Sequence, residues 1–497
     1  MRATFPAALL LLLASTSAPQ AAPNIVVIMT DDQEDTGSMG YMPKTHALLA
    51  EKGLTFENSF VNLPLCAPSR ASFLSGQSAH NTGIKANNPV DGGGWGAFKD
   101  KEKNALPVWL KKAGYKTALI GKYINRYGQE STFGSLLSWA GSYLNIGFTS
   151  PTIGNPEDWV PPGWDLWYAF TGTRARYYDY DINENDKIKT FGSSAGDYST
   201  DVLKARAVRF IKDQSGATDP FFMLVATKAV HAQGKCAIPA PQHADAFKEV
   251  SLPFNSAGKK ESATKPATGG QSKEDIETCY RAELQSLQSV DDLVAALVDS
   301  LQRAGKLDDT VIIYTSDNGF LFGQHGRLGK SVPYEEAIKV PLVIRGPGIL
   351  ENQTRGQLVN NLDVVATIVE LAGASPGATL DGHSLGPLFA DSNAPWRSAI
   401  AFESPSAHFM GPAERYTGVR TATRKYIKFD TGVEMLYDLA ADPHERKQQD
   451  RQCSLCWRSR PPARPQRKAQ VLHWRDLLGA VNIGATRQLV LPRSRHK

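Results

Sequence analysis

Long hydrophobic runs are what this 497-residue chain of 54.1 kDa lacks. Its main apolar stretch, from Phe5 to Ala14, follows Met1-Arg2 and gives way to small and polar residues through Ala22. That stretch is too short to stay in a bilayer, and its layout is that of a secretory leader over residues 1–22. Stable membrane insertion is thereby excluded, and export to a periplasm or to the outside is expected. Cysteine is scarce as well, with five residues, so no dense disulfide scaffold holds the fold. The five are an odd number: Cys236 with Cys279 can close a loop, Cys453 with Cys456 can form a tight pair, and Cys66 is then left over. A large charge imbalance is missing too. The net +5 conceals a tail, residues 446–497, with 13 Lys and Arg against 2 Asp, a net +11 that leaves the rest of the chain at −6. An acidic body gives no reason to expect nucleic acid. No internal repeat is visible. With 41% hydrophobic and 21% charged residues and a mean hydropathy of −0.31, the remainder has the composition of a soluble globular protein.

What is present is an alternation of strands and helices. Residues 24–29 (NIVVIM) form a short β-branched run ending in acidic residues, and residues 311–315 (VIIYT) form another, ending in Ser316-Asp317-Asn318-Gly319. Two buried-type strands that each deliver carboxylates at their C-terminal ends are what an open parallel sheet uses to build a site. Helices are predicted over 105–113, 201–212 and 276–303, a buried strand over 221–226, and a surface insertion over 251–272, rich in Ser, Gly, Lys and Thr. Strands over 424–429 and 434–439 around Thr431-Gly432 predict a hairpin in a smaller α+β unit.

The most specific segment is Leu65-Cys66-Ala67-Pro68-Ser69-Arg70, continuing to Gly76. Pro68 and Ser69 suit the first turn of a helix, which places Cys66 at an N-terminus whose N–H groups face an anion, with Arg70 adding positive charge. A sulfate or phosphate fits there. The run resembles the sulfatase pattern Cys-x-Pro-Ser-Arg followed by Gly76, and the resemblance extends from Pro23 to about Glu445, nearest to the N-acetylglucosamine-6-sulfatase and heparan 6-O-endosulfatase branch. It implies an alkaline-phosphatase-like α/β fold with a large mixed, mainly parallel sheet and a smaller C-terminal α+β subdomain. It also implies that a maturation enzyme oxidises Cys66 to formylglycine, and that Asp31, Asp32, Asp317, Asn318 and the converted residue 66 hold calcium, with magnesium the alternative ion. The ligand chemistry agrees: carboxylates and an amide oxygen suit a hard cation, and the oxygen of a hydrated aldehyde suits it better than a thiolate.

By the same resemblance, Lys122 in Gly121-Lys122-Tyr123 and Lys330 after Gly329 contact sulfate. Asn125 stands where many sulfatases carry a histidine. His231, after the strand over 221–226, is the acid for the leaving group. His325 is either a packing residue or a neighbour of the site. The aromatic stretch Trp159, Trp164, Trp167, Tyr168, Tyr177 and Tyr180 suits either sugar rings or core packing, and the loop from Asn87 to Trp95 is a candidate flexible cover. The expected divisions are 1–22 leader, 23–384 catalytic domain, 385–445 C-terminal subdomain and 446–497 basic tail, the last being disordered, glycan-binding or a frame-shifted artefact. The expected activity is hydrolysis of sulfate esters on sulfated sugars such as N-acetylglucosamine 6-sulfate. An arylsulfatase, a phosphonate or phosphate monoesterase, and an inactive glycan-binding protein are the alternatives.

Overall fold

The computed structural model describes residues 22–128, 158–171, 175–252, 271–404 and 415–449. The leader, the Cys453–Cys456 pair, nearly all of the basic tail and most of the 251–272 insertion lie outside the described residues. Numbered in chain order, the principal sheet contains β1 (Asn24–Asp31), β2 (Leu54–Phe56), β3 (Lys116–Gly121), β4 (Leu166–Phe170), β5 (Tyr180–Glu184), β6 (Lys187–Phe191), β7 (Phe221–Val230), β8 (Thr310–Ser316), β9 (Leu342–Arg345) and β10 (Gln353–Arg355). Their spatial order is β10-β2-β9-β8-β1-β7-β3-β4-β5-β6. The centre is parallel: β1 runs between β8 and β7, with Val27 opposite both Ile313 and Leu224, and β3 continues the parallel set beside β7. Antiparallel pairs occur where β9 meets β8 and where β5 and β6 close the other edge.

A strand buried on both faces needs apolar residues at every position, which is why β1 does not alternate. Ile25, Val27 and Met29 pack into one core layer and Val26 and Ile28 into the other. One layer includes α1 (Cys66–Ser75), entirely buried, and α4 (Asn361–Leu371) packed against it. The other includes α2 (Ser199–Asp213) and α3 (Lys273–Arg303). α3 buries Leu287, Val290, Val294, Leu297 and Leu301, spaced three and four apart, and starts three residues before the expected point because Ser272 and Asp275 form a capping box. The Cys236–Cys279 disulfide ties the segment after β7 to the first turns of α3, and Cys66 is free.

A second, four-stranded antiparallel sheet follows: β11 (Ala399–Ser404), β12 (Tyr416–Thr421), β13 (Arg424–Phe429) and β14 (Glu434–Asp438). The expected hairpin turns at Gly432, whose φ of 85° suits a glycine. Ile400, Phe402, Tyr416, Ile427 and Tyr437 pack onto Phe60 and Ile338 of the larger unit. Leu385, Leu388 and Phe389, which fall in the smaller unit by the expected division, pack with the principal sheet's core. Among the described residues no helix is long and apolar enough to cross a membrane.

Candidate active site

Four strands deliver the candidate residues at their C-terminal ends: Asp31 and Asp32 from β1, Lys122 after β3, His231 after β7, and Asp317 and Asn318 after β8. This is the crevice where parallel α/β sheets bind ligands. Two backbone details steer the chain into it. Asp32 has a φ of 75°, which turns β1 out of the sheet. Gly121 has a φ of 116°, and a Cβ there would lie 2.0 Å from the Ala226 carbonyl oxygen, so only glycine lets β3 pass β7 before Lys122.

Cys66 opens α1 with its side chain fully buried. Its thiol lies 3.5 Å from Asp31 Oδ1 and accepts from Lys330 Nζ at 2.7 Å. Burial pushes this thiol up to about 11, against the pull of Lys122 and Lys330. It is therefore protonated near neutrality and a poor nucleophile as it stands. One turn along α1, Arg70 donates from Nε to Asp317 Oδ2 at 2.7 Å and from Nη1 to the Lys122 carbonyl at 2.8 Å; its Nη2 is buried without a hydrogen-bond partner.

Lys122 donates to Asp31 Oδ2 at 2.6 Å, and Lys330 bonds Asp32 Oδ1. His231 Nε2 lies 3.7 Å from Asp32 Oδ2, while Nδ1 faces the Ala232 carbonyl at 2.8 Å. Burial, then the charge of Lys228, hold the imidazole well below its usual range. Asn318 donates to Asp32 Oδ1 at 2.7 Å, and its own Oδ1 is buried with no partner. Burial would raise Asp31, but Lys122, His231 and Lys330 outweigh it and hold that carboxyl well below the usual range. Asp317 goes the other way: burial and the nearby Asp31 raise it more than Arg70 lowers it. Each of the three carboxylates thus meets a cation: Asp31 meets Lys122, Asp32 meets Lys330 and Asp317 meets Arg70.

Ligand atoms of Asp31, Asp32, Cys66 and His231 lie within 4.8 Å of one another, a group able to hold a metal ion. Asp317 and Asn318 join it through their bonds to Asp32. Asn125 accepts the Trp95 N–H at its carbonyl, and its side-chain Oδ1 is buried without a partner among the described residues. Sequence reasoning missed Lys228, which is 5% exposed, bonds the Ala232 carbonyl, and is lowered to about 8, chiefly by burial. A lysine interrupting an apolar strand was the available signal. It also missed that the Asn87–Trp95 loop is pinned: Asn87 Oδ1 accepts from the Ala67 N–H at 2.8 Å, and Trp95 is fully buried. Trp164, Trp167, Tyr177 and Tyr180 are buried packing residues, whereas Trp159 is 37% exposed.

A mixed, mainly parallel sheet with this cluster at its C-terminal edge matches the Sulfatase family over residues 23–374, and the chain belongs to that family of sulfuric ester hydrolases. Residues 323–454 also match the family described as N-sulphoglucosamine sulphohydrolase, C-terminal. Among individual proteins, human N-acetylglucosamine-6-sulfatase is 38% identical over 473 residues, covering 85% of this chain and 80% of the relative. A solved structure of a protein with its substrate D-glucosamine-2-N,6-O-disulfate superposes with a TM-score of 0.70 at 24% identity, covering 86% of this chain and 93% of that one. The phosphonate monoester hydrolase of Agrobacterium radiobacter shares the fold at a TM-score of 0.60 and 20% identity, covering 86% and 91%.

Proposed function

We propose that the chain removes sulfate from sulfated sugars, with N-acetylglucosamine 6-sulfate the preferred unit, after Cys66 has been oxidised to formylglycine. One observation carries this reading: the residue at the centre of the cluster is a sealed, protonated thiol held between Asp31 and Lys330. A thiol there neither attacks sulfur well nor suits a hard cation, whereas an aldehyde hydrate does both. The donor set fits calcium. Asp31, Asp32, Asp317 and Asn318 can each offer an oxygen, and the buried Asn318 Oδ1, on a residue bonded to Asp32, is an acceptor with no partner among the described residues, a position that a cation satisfies. When bound, the ion and the hydrated residue 66 supply Lewis acidity and a nucleophilic oxygen.

The chain's own residues do the rest. Lys122 and Lys330, whose ammonium groups lie at Asp31, Asp32 and the residue 66 side chain, would bind the sulfate oxygens, and Arg70 would add Nη2. Three fixed cations, already desolvated, favour charge on the transferring group. As the bond from sulfur to the ester oxygen breaks, that oxygen needs a proton for the sugar to leave as an alcohol; His231, held neutral by burial with Nδ1–H on the Ala232 carbonyl, takes up a second proton at Nε2 beside the bound sulfate's negative charge and delivers it there. Water is consumed overall, and sulfate is the other product.

The substrate assignment rests on the similarity to human N-acetylglucosamine-6-sulfatase. Export agrees with a formed Cys236–Cys279 disulfide, since such bonds persist in oxidising compartments. The test compares sulfate release from N-acetylglucosamine 6-sulfate, a 4-sulfated sugar and an aryl sulfate with phosphate release from N-acetylglucosamine 6-phosphate. The expected order places the 6-sulfate first. A higher rate on the phosphate ester contradicts the sulfatase reading, and no turnover on any ester by formylglycine-bearing protein leaves only glycan binding.

A further inference from the structure

A second cluster of potential metal ligands lies outside the catalytic one. His325 sits in a tight turn at Gln324–Gly326, Glu336 in the short helix Glu335–Ile338, and Glu445 in the turn that follows β14. One ligand atom from each comes within 4.8 Å of the other two. The imidazole stacks on Tyr334 with ring centres 3.7 Å apart and planes 7° from parallel, which fixes its orientation. His325 Nε2 and Glu336 Oε2 are 3.4 Å apart, and both atoms are buried without a hydrogen bond. Glu336 is 6% exposed and Glu445 is 2% exposed.

Charge in this pocket is unevenly matched. Glu335 takes both nearby cations, Lys425 at 3.0 Å and Arg420 at 3.2 Å. Glu445 has Lys425 only as a shared partner, at 2.5 Å, with its other oxygen accepting the Glu335 N–H at 2.8 Å. Among the described residues Glu336 pairs with no cation except the histidine, and then only if that ring is protonated. A buried carboxylate with an orphaned oxygen costs stability unless something positive meets it.

We propose that His325, Glu336 and Glu445 form a second metal site that takes a zinc-class divalent ion and staples the segment after β8 to the C-terminal sheet. An imidazole nitrogen beside two carboxylate oxygens selects a borderline cation over calcium, whose sites are built from oxygen. Water completes the coordination at the partly exposed His325 edge. The proposal does not depend on the sulfate chemistry, because it shares no residue with the catalytic cluster.

The test uses the full chain carrying Cys66→Ala and Asp32→Asn, so that zinc retained at the catalytic cluster is removed from the count. Protein stripped with a chelator is dialysed against dilute zinc chloride and its bound zinc measured by mass spectrometry, together with the shift in Tm. The expected result is one zinc per chain and a raised Tm. His325→Ala and the isosteric Glu336→Gln should each weaken zinc binding at least about tenfold, as losing a ligand does. Cobalt(II) in the same parent reads ligation without touching the pocket: a visible absorption band that zinc displaces is expected. Absence of bound zinc and of the cobalt band, or zinc binding unchanged by either variant, overturns the proposal and leaves an ordinary His325–Glu336 ion pair.

Discussion

Replacing Arg70 by lysine keeps the charge and removes the fork, which separates what this side chain does for stability from what it does for sulfate. In the structure two of its three guanidinium nitrogens are committed, Nε to Asp317 Oδ2 at 2.7 Å and Nη1 to the Lys122 carbonyl at 2.8 Å. Lysine, shorter and with one nitrogen, keeps at most one of these. Losing a buried hydrogen bond to a charged group costs about 1.5–3 kcal/mol, so Arg70→Lys should destabilise the fold by roughly that amount. The third nitrogen, Nη2, has no partner among the described residues. If it is reserved for sulfate, its loss removes a donor aimed at developing charge, worth about 2.7–4 kcal/mol, or roughly 10²–10³ in kcat. The assay pairs denaturant unfolding with initial rates of sulfate release at saturating substrate, well below the variant's Tm. A stability loss with kcat unchanged within about twofold refutes the sulfate role of Nη2. A variant as stable as the parent refutes the hydrogen bonding itself.

Other outcomes follow from the same structure. The Cys236–Cys279 bond spans 43 residues, so Cys236→Ser should cost about 4 kcal/mol by loop entropy, read as a lowered unfolding midpoint; an unchanged midpoint refutes this. Lys425→Met leaves Glu335 and Glu445 buried without their shared ammonium and should cost about 3–5 kcal/mol. Although burial opposes it, Lys425 and Arg420 hold Glu335 down to about 2. A depressed carboxylate stabilises above its unfolded value near 4.5, and that stability, about 3 kcal/mol, is lost as pH falls towards 2. Lys425→Met should flatten the fall in that window, and an equally steep fall counts against the assignment. Exhaustive chelation should abolish sulfate release and added calcium should restore it; full activity in metal-free protein contradicts the calcium assignment.

The core strands were legible because a run such as NIVVIM, apolar at every position, has one stable home, between two packed layers. The acidic residues that follow such runs were legible as a site for the same reason: a buried strand exposes charge only where it leaves the sheet. Cys66 and Arg70 could be read together because one helical turn separates them, and the structure places them on α1 as expected. What could not be read depends on contacts between distant segments. Lys228 fell beyond the expected strand end at residue 226, and its burial beside the cluster follows from β7 running four residues past that point. The loop before Trp95 carries three consecutive glycines and seemed mobile, yet Asn87 reaches across to the first turn of α1 and fixes it. The Glu335, Lys425 and Glu445 network joins segments about 90 and 110 residues apart, with no local signal in any of them.

The claim on which the catalytic reading turns is that residue 66 is no longer cysteine in active protein. Peptide mass spectrometry across residue 66, with hydrazine labelling of the aldehyde, gives the converted fraction in preparations matured to different extents. Sulfate release per chain should rise in proportion to that fraction and extrapolate to zero without conversion. Full activity in protein whose Cys66 is an unmodified thiol would contradict the account directly.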